Sequence, residues 1–219
     1  RGDQKRLATY RKLNVLAKDR PLSELQFVTH TAIAANNSSD AIRQTASGYK
    51  STLEYPKTNL GNSLRSIAGL IVGGISTRVY FTFHHSGYDT HGGQRPHHNN
   101  LMTELNDAIF AFYKDLGQQK QAPRVLTLTT SEFGRTVREN GSQGTDHGAA
   151  AAMFLFGPML KPGVHGTHPS LKDVFGGGGD WLKMTTDFRS VYATILEKWL
   201  GIASEPVLGQ KYPLVGFLA

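Results

Sequence analysis

The sequence predicts an α/β layered domain with a largely parallel sheet, and two observations carry that expectation. Strand-like runs at residues 77–83 and 124–130, rich in β-branched residues, and an apolar run at 151–156 are interleaved with helical patterns at 60–71, 97–116 and 187–200. The resulting order of strand, helix, strand, loop, strand, helix is that of units whose crossovers lay helices over a parallel sheet. At 219 residues the chain is long enough for one sizeable core, so a single domain is expected.

Taken in order, residues 4–18 place Leu7, Tyr10, Leu13, Val15 and Leu16 among charges, the pattern of an amphipathic helix. Pro21 suits a first helical turn. From there Leu22, Leu25, Val28, Ile33 and Ile42 continue a helical pattern to about residue 48, interrupted at Asn36-Asn37-Ser38-Ser39-Asp40. Leu60, Leu64, Ile67, Ala68, Leu70 and Ile71 mark the next helix, stopped by Gly73-Gly74. In the run at 77–83, both Val79, Phe81, Phe83 and the alternate Tyr80, Thr82 suit burial, which predicts an internal strand covered on both faces. Leu101, Leu105, Ile109, Phe112 and Leu116 then share one helical face, with Gly117 as the stop. After the strand at 124–130, residues 131–148 form a loop long enough to be a candidate for function. A third strand at 151–156 leads to a Gly/Pro-rich excursion over 157–179. Thr185-Thr186-Asp187 caps a last helix through Val191, Ile195 and Trp199, closed by Gly201.

Composition narrows the chemistry. The chain has no cysteine, which excludes disulfides and thiolate zinc sites, so any metal is held by His and carboxylates. Its formal charge of +7 gives some affinity for polyanions. The basic residues are scattered except at Lys5-Arg6, Arg11-Lys12 and Lys18-Asp19-Arg20, with no aromatic interleaving, so specific nucleic-acid binding is not expected. No stretch has the length and apolarity of a membrane span or a signal peptide. Arg1-Gly2-Asp3 is too short a match to carry an adhesive function.

Two clusters pack a carboxylate and an imidazole between glycines, Gly87-Tyr88-Asp89-Thr90-His91-Gly92-Gly93-Gln94 and Gly144-Thr145-Asp146-His147-Gly148. In an extended segment Asp89 and His91, at i and i+2, point to the same side and can converge on one cation. Taken alone, such a pair is also compatible with a turn cap and exposed histidines. Asp146 and His147 supply a second pair that shares the first ion or holds another. His84, His85, His97 and His98 lie around the first cluster, whereas His30 stands apart and is read as a packing or surface residue. Glu132 could be a ligand or accept an imidazole N–H, and Arg135 could grip an anionic oxygen. The alternative is a Glu132–Arg135 salt bridge that braces the loop. His165 and His168 either complete a site or lie on a surface hairpin, and Pro169 makes His168 the better candidate ligand. Mixed His and carboxylate ligands suit zinc, manganese or iron, and calcium less well.

These residues sit in stretches that resemble the DUF1501 family of bacterial proteins, placed with the alkaline phosphatase and sulfatase-like superfamily. The resemblance is carried by Leu60 to Leu64 (LGNSL), Gly87 to Gln94 (GYDTHGGQ), Thr130 to Arg135 (TSEFGR), Glu139 to Gly148 (ENGSQGTDHG), His165 to Leu171 (HGTHPSL) and Thr185 to Tyr192 (TTDFRSVY). It implies a three-layer α/β/α fold, one or two divalent cations, and Asp146-His147 as an adjacent ligand pair with Asp89 and His91 as an earlier one. It also implies an exported protein, and a chain that is the carboxy-terminal part of a longer one. Residues 1–54 would be a helical lead-in and 55–200 the motif-bearing core.

The leading expectation is a metal-dependent hydrolase-like domain acting on small phosphate or sulfate esters. Asp89, His91, Asp146, His147 and His168 would hold metal, with Glu132 and Arg135 supporting the reaction. Its rival is a non-catalytic exported domain in which the same residues bind metal or brace loops. A third reading, polyanion binding through net charge, predicts affinity that collapses with salt and ignores chelators.

Overall fold

The computed structural model describes residues 24–84 and 87–219, and among these the apolar patterns produce three long helices. These are α1 (Glu24–Gly48), α2 (Asn59–Val72) and α3 (Gln94–Gln118). The expected helix at 4–18, Arg1-Gly2-Asp3, the basic pairs near the start, Pro21 and His85 lie outside the described residues. α1 runs unbroken through Asn36 to Asp40, where an interruption is expected from sequence, and His30 is exposed on it.

α2 starts where the Thr58 hydroxyl accepts from Gly61 N and ends at Gly73, whose N–H returns to the Gly69 carbonyl. Its Leu60, Leu64, Ala68 and Ile71 face Ala108, Ile109, Phe112 and Leu116 of α3, and with Tyr55 they form the core. The end of α1 reaches α2 because the latter has no side chain there. A Cβ on Gly69 would lie 2.7 Å from the Tyr49 Cβ, and one on Gly73 would lie 2.1 Å from Thr45 Cγ2.

Asp115 of α3 is fully buried, and its two oxygens accept from the hydroxyls of Tyr49 at 2.7 Å and Tyr55 at 2.8 Å. Burial, then the hydrogen bond to Asp115, pushes both tyrosine hydroxyls well above their ordinary range. The pair ties the chain between α1 and α2 to the middle of the helical core.

The expected parallel sheet, and with it the three-layer α/β/α architecture, is not what the chain forms. Among the described residues the strands are β1 (Thr127–Leu128), β2 (Gly134–Arg135), β3 (His147–Gly148), β4 (Leu155–Phe156), β5 (Val174–Phe175) and β6 (Trp181–Leu182). They make three separate antiparallel pairs, β1 with β4, β2 with β3 and β5 with β6. Parallel neighbours need a crossover, usually a helix, and no helix lies between β1 and β4, so those two strands meet antiparallel.

Residues 77–83 form neither helix nor strand. Tyr80 packs against the core, while Val79 and Phe81 are 69% and 70% exposed, so this segment buries one face rather than two. Of the other two expected strands, only short pieces pair. The long loop at 131–148 contains the β2–β3 pair, and the excursion after residue 157 contains β5.

Asp187 caps α4 (Phe188–Thr194), its carboxylate accepting from Arg189 N at 2.8 Å, and wider turns over Ile195–Trp199 extend that helix. A short α5 (Glu205–Leu208) follows, and the buried Phe217 closes the chain beside Leu160 and Leu218. Among the described residues no helix is long and apolar enough to cross a membrane.

Asp115→Ala leaves two tyrosine hydroxyls without their acceptor, so unfolding in urea is expected to show a loss of about 2 kcal/mol. An unchanged midpoint would show that this buried contact contributes nothing net.

Candidate metal centre

The site forms between the segment that leads into α3 and the β2–β3 pair. Register sets half of it, because Arg135 stands opposite His147 and Gly134 opposite Gly148. Backbone bonds join the two parts, with Gly93 N donating to Ser142 O, Gln94 N to Gln143 O and Thr145 N to Thr90 O. Gln94 Nε2 also donates to the hydroxyls of Thr90 at 2.8 Å and Thr145 at 2.9 Å. This approach needs Gly144, where a Cβ would fall 2.3 Å from the His91 carbonyl carbon.

On that frame, Asp89 Oδ1 lies 3.0 Å from His91 Nε2 and accepts from His147 Nε2 at 2.8 Å. These three groups form the cluster among the described residues that could hold an ion. Thr90, between Asp89 and His91, is buried on the other side. The ring of Phe133 stacks on His147 with centroids 3.7 Å apart, which limits how far that imidazole can turn.

Asp146 does not join this group of donors. Its Oδ1 lies 2.9 Å from His91 Nδ1, the ring nitrogen that faces away from Asp89. His91 can bond both carboxylates only with a proton on each nitrogen. A cation at Nε2 would take one proton's place and leave the Nδ1–H bond to Asp146 intact, the arrangement that orients many metal-bound imidazoles.

Arg135 spends its guanidinium on the frame. Nη1 donates to Thr145 O at 2.8 Å, while Nη2 donates to Tyr88 O at 2.6 Å and Asp89 Oδ1 at 3.0 Å. It therefore braces both histidine-bearing loops. The alternative salt bridge to Glu132 is not formed, and Glu132 is exposed without a hydrogen bond or ion pair among the described residues. His168 is also away from the cluster, exposed and bonded to the Pro169 carbonyl. His165 bonds the Lys161 carbonyl. His84 is held apart by Tyr88 and Glu104.

The donor set fits a divalent ion in kind. Ligand atoms about 2.0–2.1 Å from a tetrahedral ion sit about 3.3 Å apart, so the 2.8 and 3.0 Å separations from Asp89 need to open by a few tenths of an ångström, and all three ligand atoms lie within 4.8 Å of one another. Asp89, His91 and His147 side chains are 52%, 48% and 47% exposed, which leaves further coordination positions open to solvent or a ligand. Arg135 on the same Asp89 oxygen opposes a second cation there and favours an anion beside it.

The family described as Protein of unknown function (DUF1501) matches residues 74–208, a span that contains every residue of this cluster. The chain belongs to the DUF1501 family. No curated protein and no solved structure matches it. Within this DUF1501 chain, the motifs point to the three donors, whereas Asn140, Phe133 and the bracing use of Arg135 are not apparent from them. Asn140-Gly141 is a turn signature in the sequence, but nothing in it shows that the Asn side chain reaches the cluster.

Both carboxylates are held below the usual carboxylate range. For Asp89 the main cause is the hydrogen bond from His147, followed by the charges of His147, His91 and Arg135. For Asp146 it is the hydrogen bond from His91, then that from Asn140. A carboxyl lowered in the folded state stabilises it above the ordinary carboxylate value, and that contribution fades as pH falls through the lowered one. Carbon-13 NMR titration should find both carboxyls ionised below the pH of free aspartate. His91→Ala should move Asp146 back up, and no movement would refute the assigned cause.

Proposed function

We propose that this chain is a divalent-metal-binding domain that supports hydrolysis of small phosphate or sulfate esters. One observation carries the reading: Asp89 Oδ1, His91 Nε2 and His147 Nε2 meet at 3.0 and 2.8 Å from two segments that are joined by backbone bonds and a buttressing arginine. Exposed ion pairs contribute little to stability, so stability gives little reason to gather these groups on one carboxylate oxygen.

In this reading Asp89, His91 and His147 hold the ion, and Asp146 keeps the His91 ring oriented through Nδ1. Arg135 supplies positive charge at the edge of the site while keeping Asp89 in place. A bound zinc, manganese or iron ion would polarise an ester oxygen and acidify a water. The relation to alkaline phosphatases and sulfatases is proposed at the level of the Asp-His motifs only, and export is proposed on the same resemblance.

The second reading is a domain that binds metal without catalysis, favoured by the open, exposed setting of the cluster. Elemental analysis of untagged protein, paired with hydrolysis of an aryl phosphate and an aryl sulfate, separates the two. Near-stoichiometric metal that disappears in His147→Ala, with activity lost in step, is expected. Metal without activity would select the binding role, and no metal in the wild type would sink both. Since protons compete for all three donors, metal affinity should fall as pH is lowered.

A further inference from the structure

We propose that Asn140 is a positioning residue of this centre, setting the orientation of His91 both directly and through Asp146; the inference rests on the metal-binding reading above. Its side-chain Nδ2 donates to Asp146 Oδ1 at 3.0 Å and to the His91 carbonyl at 3.0 Å. Its Oδ1 accepts from Ser142 N at 2.9 Å and Gly144 N at 3.1 Å. A carboxamide offers two N–H donors and an oxygen with two lone pairs, so this side chain is fully used. Its orientation is thereby determined, because the flipped amide would set N–H against N–H and oxygen against oxygen.

The backbone makes the same point. Asn140 N donates to Gly144 O and Gln143 N to Asn140 O, closing a turn in which Gln143 has a φ of 60°. Carbonyls of that turn, on Ser142 and Gln143, accept from Gly93 and Gln94 at the start of α3. Asn140 thus grips His91 at two points, the main-chain carbonyl and, by way of Asp146, ring atom Nδ1. With both held, Nε2 is left directed at Asp89. Neither the turn nor the metal donors alone require an amide here. Their combination does, since the turn needs an acceptor and the carboxylate of Asp146 needs a donor.

Asn140→Asp separates positioning from turn formation. It keeps an oxygen for Ser142 N and Gly144 N but turns a second oxygen on Asp146 and the His91 carbonyl. The experiment uses the full 219-residue chain, as wild type, Asn140→Asp and Asn140→Ala. Zinc affinity is measured by calorimetry, the His91 ring nitrogens by nitrogen-15 NMR on metal-free protein, and folding by thermal melting. Asn140→Asp is expected to weaken zinc binding by about 10–100-fold and to shift the His91 Nδ1 resonance, with melting near wild type. Asn140→Ala, which adds no charge, should weaken binding in the same direction while also losing turn stability. Wild-type affinity or wild-type His91 resonances in Asn140→Asp would overturn the assignment. If the wild type itself binds no zinc, the metal reading fails separately. The His91 resonances of the metal-free variants then decide the role of Asn140, a shift upholding it and their constancy overturning it.

Discussion

The guanidinium of Arg135 is the contact on which the candidate centre depends. It reaches the Thr145 carbonyl on one loop and the Tyr88 carbonyl and Asp89 carboxylate on the other, so the two histidine-bearing segments share a single rigid cation. Residues 88 and 145 are far apart in sequence, and this crossing tie acts with the backbone bonds Thr145 N to Thr90 O and Gly93 N to Ser142 O to keep Asp89 within reach of His147. A lysine here would offer one point charge in place of the planar fork that spans three acceptors.

Close backbone approach completes what Arg135 begins. At Gly144 a side chain would collide with the main chain at His91, and at Gly148 a Cβ would fall 2.4 Å from the Arg135 carbonyl oxygen. The site thus rests on absent side chains as much as on present ones. Its stability comes from elsewhere, from the packing of α2 on α3 around Leu64, Ala68, Phe112 and Leu116, and from the Asp115 contact with two tyrosines. That division suits function: a buried helical core carries the fold, while exposed loops carry groups whose charges are free to meet a ligand.

Much of this was legible in the sequence, and the parts that were not share one cause. Helical periodicity located α2 and α3 because their apolar faces meet each other, so local pattern and tertiary contact agree. The glycine-flanked Asp-His motifs contain Asp89, His91 and His147, which the fold gathers into one candidate cluster, and the i, i+2 part of that geometry is local. The parallel sheet was expected from runs at 77–83, 124–130 and 151–156, but strand pairing is a long-range choice that β propensity does not decide. Val79 and Phe81 are apolar without being buried, and only pieces of the other two runs found partners. Side-chain placement is not legible in a motif for a related reason. Asp146 adjoins a donor yet serves the opposite side of the His91 ring, and His168 has the right chemistry but bonds its own neighbour.

The most direct measurement is anomalous diffraction at the zinc edge from crystals of the chain grown with zinc. A peak about 2.0–2.2 Å from Asp89 Oδ1, His91 Nε2 and His147 Nε2, with Asp146 still on His91 Nδ1, is the predicted result. Zinc bound elsewhere, with the Asp89 contacts to both histidines unchanged, would contradict the assignment of this cluster as a metal centre.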